Sequence, residues 1–112
     1  MKTENEMLPA MVRWFRDAYP EIAHLMVHVP RANKTLEKKG ATFGSADLII
    51  LYPANGLHSL CVQVLNRTER NSDAHKRWRI LVENEGSKCV TIRDFAEFVN
   101  AVESYLTDTP YD

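Results

Sequence analysis

No apolar run in this chain approaches the roughly 20 residues that a membrane-spanning helix requires. Its first residues, Met1-Lys2-Thr3-Glu4-Asn5-Glu6, are too acidic and polar to read as a signal peptide. Cysteine is scarce. Cys61 and Cys89 form no Cys-x-x-Cys pair and have no metal-ligand spacing, and both sit in apolar, strand-like runs. They therefore read as reduced, packed thiols of a cytoplasmic protein, which excludes a disulfide scaffold. No glycine-rich phosphate loop, Ser-His-Asp arrangement or zinc signature is present. Internal repeats, linkers and low-complexity segments are also missing.

What remains is an ordinary globular composition. Hydrophobic residues make up 45% and charged ones 26% of 112 residues, enough for a single domain over 1–112 with one core. The net charge of −1 hides an asymmetry. The span Arg31–Arg79 holds nine Lys/Arg (Arg31, Lys34, Lys38, Lys39, Arg67, Arg70, Lys76, Arg77, Arg79) against four acids (Glu37, Asp47, Glu69, Asp73), a net of +5. The flanks hold five bases against eleven acids, a net of −6. A basic middle between acidic ends suits a polyanion-facing side, although a solvated surface that happens to segregate gives the same pattern.

The apolar pattern fixes an order of elements. Leu8, Met11, Val12, Phe15 and Tyr19 recur at helical spacing, so a first helix ends before Pro20. Thr3 and Glu6 are placed for a capping box, and Pro9 predicts that the regular helix begins only near it. Leu25 to Val29, closed by Pro30, is a strand. Arg31 to Ser45 is a polar, basic loop with a turn of helix near Thr35 to Lys39. Asp47 to Tyr52 and Ser59 to Leu65 are strands joined at Asn55-Gly56, a strong hairpin signal.

Asn66 to Asn71 is a polar turn, and Ser72 caps a helix with the stripe Trp78, Leu81 and Val82, ending at Gly86. Cys89 to Ile92 is a fourth strand. Phe95, Phe98, Val99, Val102, Tyr105 and Leu106 form a last amphipathic helix, followed by a frayed tail over 107–112. The expected fold is mixed α/β: a four-stranded mixed sheet flanked by helices, in the order α-β-β-β-α-β-α. One polar residue stands out. Gln63 interrupts an apolar strand between Val62 and Val64, and a buried strand tolerates a polar side chain only when something satisfies it.

Several local pieces occur in a telling order: Tyr19-Pro20-Glu21; His28-Val29-Pro30; and Gly40-Ala41-Thr42-Phe43-Gly44-Ser45-Ala46-Asp47-Leu48. The strand Leu60 to Leu65, then Ser72-Asp73-Ala74-His75, Trp78 and the Gly86 turn follow. Over about Glu6 to Leu106 this resembles the VRR-NUC branch of the PD-(D/E)XK, restriction-endonuclease-like nucleases. Such enzymes hydrolyse phosphodiesters with a divalent ion, which stabilises developing charge and lowers the pKa of a bound water. The resemblance implies a metal-binding aspartate opening the second strand. It also implies a glutamate on the third strand and, two residues later on the same face, a lysine.

Carried over by position, Asp47 matches the aspartate, with Ala46 in place of the motif's proline. Gln63 stands for the glutamate and Leu65 for the lysine. His75 stands where the family usually has glutamine after Ser72, and Arg31-Ala32 where it has asparagine-glycine. The resemblance places Glu6 on the first helix as a further contributor to the metal site, beside Asp47 and Gln63, with Mg2+ or Mn2+ bound weakly. Gln63 keeps an oxygen but loses a charge; Leu65 has no polar atom at all. Removing a positioned acid-base group or an electrostatic stabiliser costs about 10²- to 10⁴-fold each.

Three functional classes follow. The first is a nuclease-like domain with decayed hydrolysis that still binds duplex or branched DNA through Arg31, Lys34, Lys38, Lys39, Arg67, Arg70 and Lys76. The second is an active Mg- or Mn-dependent endonuclease whose lysine has migrated to Lys76, Arg67, Lys38 or Lys39, with His75 as a titratable neighbour. The third is an interaction module that keeps only the fold. Family analogy adds a homodimer.

Overall fold

The computed structural model describes residues 4–30, 34–40 and 42–107, with the side chains of all of these except 4–6, 36 and 37. The elements run α1 (Glu4–Ala18), a 3-10 turn (Ala23–Leu25), β1 (Met26–His28), α2 (Lys34–Lys38), β2 (Leu48–Ile50) and β3 (Leu60–Val64). They continue with α3 (Asp73–Asn84), β4 (Lys88–Ile92) and α4 (Phe95–Thr107). The four strands form one sheet in the order β1-β2-β3-β4. β2 runs antiparallel to both β1 and β3, and β3 pairs with β4 in parallel. The fold is therefore mixed α/β with a mixed sheet flanked by helices, and no helix among the described residues is long and apolar enough to cross a membrane.

Strand alternation assigns the two faces. Leu48 and Ile50 of β2, Leu60, Val62 and Val64 of β3, and Ile92 of β4 join Met7, Met11 and Phe15 of α1 and Phe98, Val102 and Tyr105 of α4 in the main core. Trp14 braces the two helices through edge-to-face contacts with Phe95 and Phe98, at centroid distances of 6.4 and 5.8 Å. On the other face, Ala46, Cys61 and Cys89 form a smaller cluster closed by Ile49 and by Trp78 and Val82 of α3. All five residues of β3 are buried, as expected for a strand covered on both sides.

The structure departs from the sequence expectations in several places. Pro9 lies inside α1 rather than at its start. The missing N–H removes one bond of the ladder near the first turn. Burial of Met7, Ala10, Met11 and Phe15 holds the helix together despite that loss. The proposed Thr3–Glu6 capping box lies outside the described side chains, and most of the expected tail outside the described residues.

Leu81 is not part of the buried stripe of α3. It is 57% exposed, because only the i, i+4 pair Trp78 and Val82 faces the sheet. The Asn55-Gly56 turn forms, with both residues at positive φ (54° and 80°) and Ala54 and Leu57 exchanging backbone hydrogen bonds of 2.9 Å. Yet β2 stops at Ile50. Beyond it the chain is tied to α4 instead, where Tyr105 Oη donates to the Tyr52 carbonyl (2.7 Å) and Asn55 Nδ2 donates to the Tyr105 carbonyl (3.1 Å).

Candidate functional site

Asp47 lies one residue before β2, and in β3 Gln63 is in register with Thr91 of β4. Asp47 and Gln63 are both buried, 3% and 1% exposed. Burial at this level demands partners, and both side chains have them.

Asp47 continues the ladder by other means. Its own N–H donates to the Val62 carbonyl (2.9 Å) and its carbonyl accepts from Val29 N–H (2.8 Å). Its side-chain Oδ2 accepts the backbone N–H of Val64 at 2.7 Å. A carboxylate thus does the work of a carbonyl at the end of β2.

Gln63 ties three elements together. Nε2 donates to the Gly44 carbonyl and to the His75 carbonyl, each at 2.9 Å, and Oε1 accepts from Thr91 Oγ1 at 3.0 Å. Both amide hydrogens and the amide oxygen are engaged. Gly44 comes so close to α3 that a Cβ on it would stand 2.6 Å from the Ala74 carbonyl carbon, and its φ of +83° suits glycine. Leu65 is completely buried, and its N–H donates to the Ile92 carbonyl.

The helix start beside Gly44 is capped as the sequence predicts. Ser72 Oγ accepts from His75 N–H (3.3 Å) and lies 2.7 Å from His75 Nδ1. The polar turn before it is an Asx turn, with Asn66 Oδ1 accepting from the N–H groups of Thr68 (3.1 Å) and Glu69 (2.7 Å). Arg93 clamps that turn from β4's end by donating from Nη1 to the carbonyls of Asn66 and Glu69, both at 2.7 Å.

Between these pieces lies a cleft of about 230 Å³, lined by Pro30, Thr42, Phe43, Gly44, Ser45, Ala46, Asp47, Glu69 and His75. The structure therefore brings Asp47 and His75 to one cleft, whereas Gln63 and Leu65 are buried and are not among its described lining. Lys34, Lys38, Lys39, Arg67, Arg70 and Lys76 are exposed. Four of them neighbour cleft residues in the chain: Lys76 follows His75, Arg67 and Arg70 flank Glu69, and Lys39 precedes Thr42 by three residues. No lysine or arginine is among the described residues that line the cleft itself. Arg31 and the side chain of Glu6 lie outside what is described.

Two of the oxygens that the family resemblance offers to a divalent ion are engaged within the protein. One oxygen of Asp47 is bonded to Val64 N–H and the Gln63 oxygen to Thr91. Among the described residues no three His, Cys, Asp or Glu side chains come together as an ion site.

Sequence reading missed Thr91, Arg93, Glu69 and Phe43. Thr91 had a signal: Val90-Thr91-Ile92 repeats the apolar-polar-apolar pattern of Val62-Gln63-Val64, and two such strands in register bring their polar members together. Arg93 had none, because its role depends on where the 66–70 turn returns.

No family model and no curated protein matches the sequence. Among solved structures, the fold is similar to that of a VRR_NUC domain protein, with a TM-score of 0.82 and 20% identity over 97% of this chain and 93% of that one.

Proposed function

We propose that this chain, which shares its fold with a VRR_NUC domain protein, is a nuclease-fold nucleic-acid-binding protein of the PD-(D/E)XK type whose hydrolytic site is lost or strongly reduced. The observation that carries this reading is the bonding of Gln63. Its two N–H donors meet two carbonyls, a pairing that an ionised glutamate at this position has no hydrogen to make. The position has become a structural clamp. Two residues on, Leu65 is sealed from solvent and has neither charge nor donor to offer a phosphate. With both groups gone, losses of about 10²- to 10⁴-fold each leave little hydrolysis.

An active enzyme with a relocated lysine receives less support, since the described cleft lining holds no lysine or arginine. Binding draws on the exposed cations Lys34, Lys38, Lys39, Arg67, Arg70 and Lys76, with DNA, duplex or branched, as the polyanion. The test is a fluorescence-anisotropy titration with labelled duplex and branched DNA over a salt series. Affinity is expected to fall linearly in log–log form as salt rises, with the slope reduced by roughly one for each phosphate-contacting Lys→Ala change. Absence of binding at low salt overturns the reading.

A further inference from the structure

The smaller cluster under α3 contains a pair of side chains that nucleic-acid binding does not use. Cys61 of β3 and Cys89 of β4 are in register across the parallel strands, and both are free thiols packed with Ala46 against Trp78 and Val82. Adjacent strands lie about 4.7–4.9 Å apart, inside the range of about 4.4–6.8 Å between Cα atoms that a disulfide spans. β4 stands at the edge of the sheet, with no strand beyond it among the described residues. A small oxidant therefore needs only a local opening of this edge to reach the pair.

A polar thread leads from the pair to the surface. Ser59 and Ser87 are buried with their hydroxyls 2.7 Å apart, and both hydrogen-bond with the Cys61 thiol. Ser87 Oγ lies 3.5 Å from Nδ1 of His58, an exposed side chain whose Nε2 is 2.5 Å from the Glu85 carbonyl. A carbonyl only accepts, so Nε2 carries the hydrogen and Nδ1 of the neutral ring accepts from the Ser87 hydroxyl. Ser87 in turn accepts from Ser59, and Ser59 from the thiol, so the donors run one way from sulfur to imidazole. Gly86 leaves room for the ring: a Cβ there would stand 2.9 Å from His58 Nε2. Burial raises both thiols, Cys89 to about 12, while the two hydroxyls draw Cys61 part of the way back. Cys61 is thus the easier of the two to ionise.

We propose that Cys61 and Cys89 form a reversible disulfide when the protein meets a hydroperoxide, with Cys61 as the attacking thiol and Ser59, Ser87 and His58 as the route for its proton. The proton passes through the two hydroxyls to His58 Nδ1. The thiolate sulfur attacks a peroxide oxygen and the O–O bond breaks, leaving a sulfenic acid on Cys61. The departing hydroxide or alkoxide recovers the proton from His58. The Cys89 sulfur then attacks the sulfenic sulfur, the S–S bond forms, and the Cys89 proton leaves with the sulfenic OH as water. Two thiols are oxidised and one peroxide is reduced.

The experiment treats the full chain with hydrogen peroxide, blocks remaining thiols with N-ethylmaleimide in denaturant, and reads intact and peptide masses with and without dithiothreitol. The wild type is expected to lose two hydrogens, to yield a linked Cys61–Cys89 peptide and to regain both thiols on reduction. Cys89→Ser should stop at a Cys61 sulfenic acid that dimedone labels, and Cys61→Ser should leave Cys89 unreacted. His58→Gln keeps a donor for the Glu85 carbonyl but supplies no base, and should slow disulfide formation by roughly 10-fold or more. Circular dichroism and thermal melting check that each variant is folded. Two free thiols in the folded wild type after the same peroxide has oxidised a glutathione control overturn the proposal, as does a bond found only between chains. An unchanged rate in His58→Gln overturns the proton route.

Discussion

The Asp47 carboxylate and the Val64 amide are joined across the end of the sheet, Val64 N–H donating to Asp47 Oδ2 at 2.7 Å between two buried residues. This acid closes a backbone ladder. Asp47→Ala leaves a buried N–H without that acceptor, so it is expected to lower stability by about 1–3 kcal/mol. Asp47→Asn retains an acceptor oxygen and should cost less. Urea midpoints at constant m-value check both.

Gln63→Glu introduces the acid that the family resemblance implies at this position and is nevertheless expected to destabilise. It removes two N–H donors from the carbonyls of Gly44 and His75 and sets a buried negative charge beside them. A loss of about 2–4 kcal/mol is expected in denaturant unfolding. An unchanged midpoint would show that the clamp contributes nothing.

Gly44→Ala tests the close approach of the 42–47 loop to α3. The added methyl would meet the Ala74 carbonyl carbon at 2.6 Å and its oxygen at 2.7 Å, both backbone atoms with little room to move, and φ is +83°. Steric overlap and the left-handed backbone add, so a loss of more than about 2 kcal/mol is expected.

Burial pushes the Cys89 thiol from 9.0 up to about 12, with neighbouring Cys61 adding to the effect. The folded state therefore holds this proton more tightly than the unfolded chain does. The stability that comes from keeping the thiol neutral is fully present below about pH 9 and is lost as pH rises toward 12. Iodoacetamide at pH 8 should label Cys89 only after unfolding, a contrast that peptide mass spectrometry measures directly.

Much of the architecture was legible because it is local. The helical spacing of Met11 and Phe15, the Ser72 cap and the Asn55-Gly56 turn each declare themselves within a few residues. Strand ends were less legible: Tyr52 is apolar enough to extend β2, but its carbonyl accepts from Tyr105 of α4 instead. The position of Leu81 required knowing how narrow a stripe the sheet accepts. At the site, the polar anomaly of Gln63 was visible in the sequence. Its three partners, Gly44, His75 and Thr91, lie 12 to 28 residues away, and only the packing of loop, helix and strand reveals them. The exposure of Phe43 was equally hidden, since a phenylalanine in a glycine-flanked loop is more commonly buried.

The account turns on loss of phosphodiester hydrolysis, and a plasmid-nicking assay addresses it most directly. Supercoiled and branched DNA would be incubated for long periods with the wild type, Asp47→Ala and the Gln63→Glu/Leu65→Lys double variant, in magnesium and in manganese. The expected result is no nicking by the wild type with either ion, and none by the double variant, whose new side chains fall on a clamp and a sealed apolar position. Nicking by the wild type that Asp47→Ala abolishes would contradict it, and would show that a cation from elsewhere in the chain had taken over the work of the missing lysine.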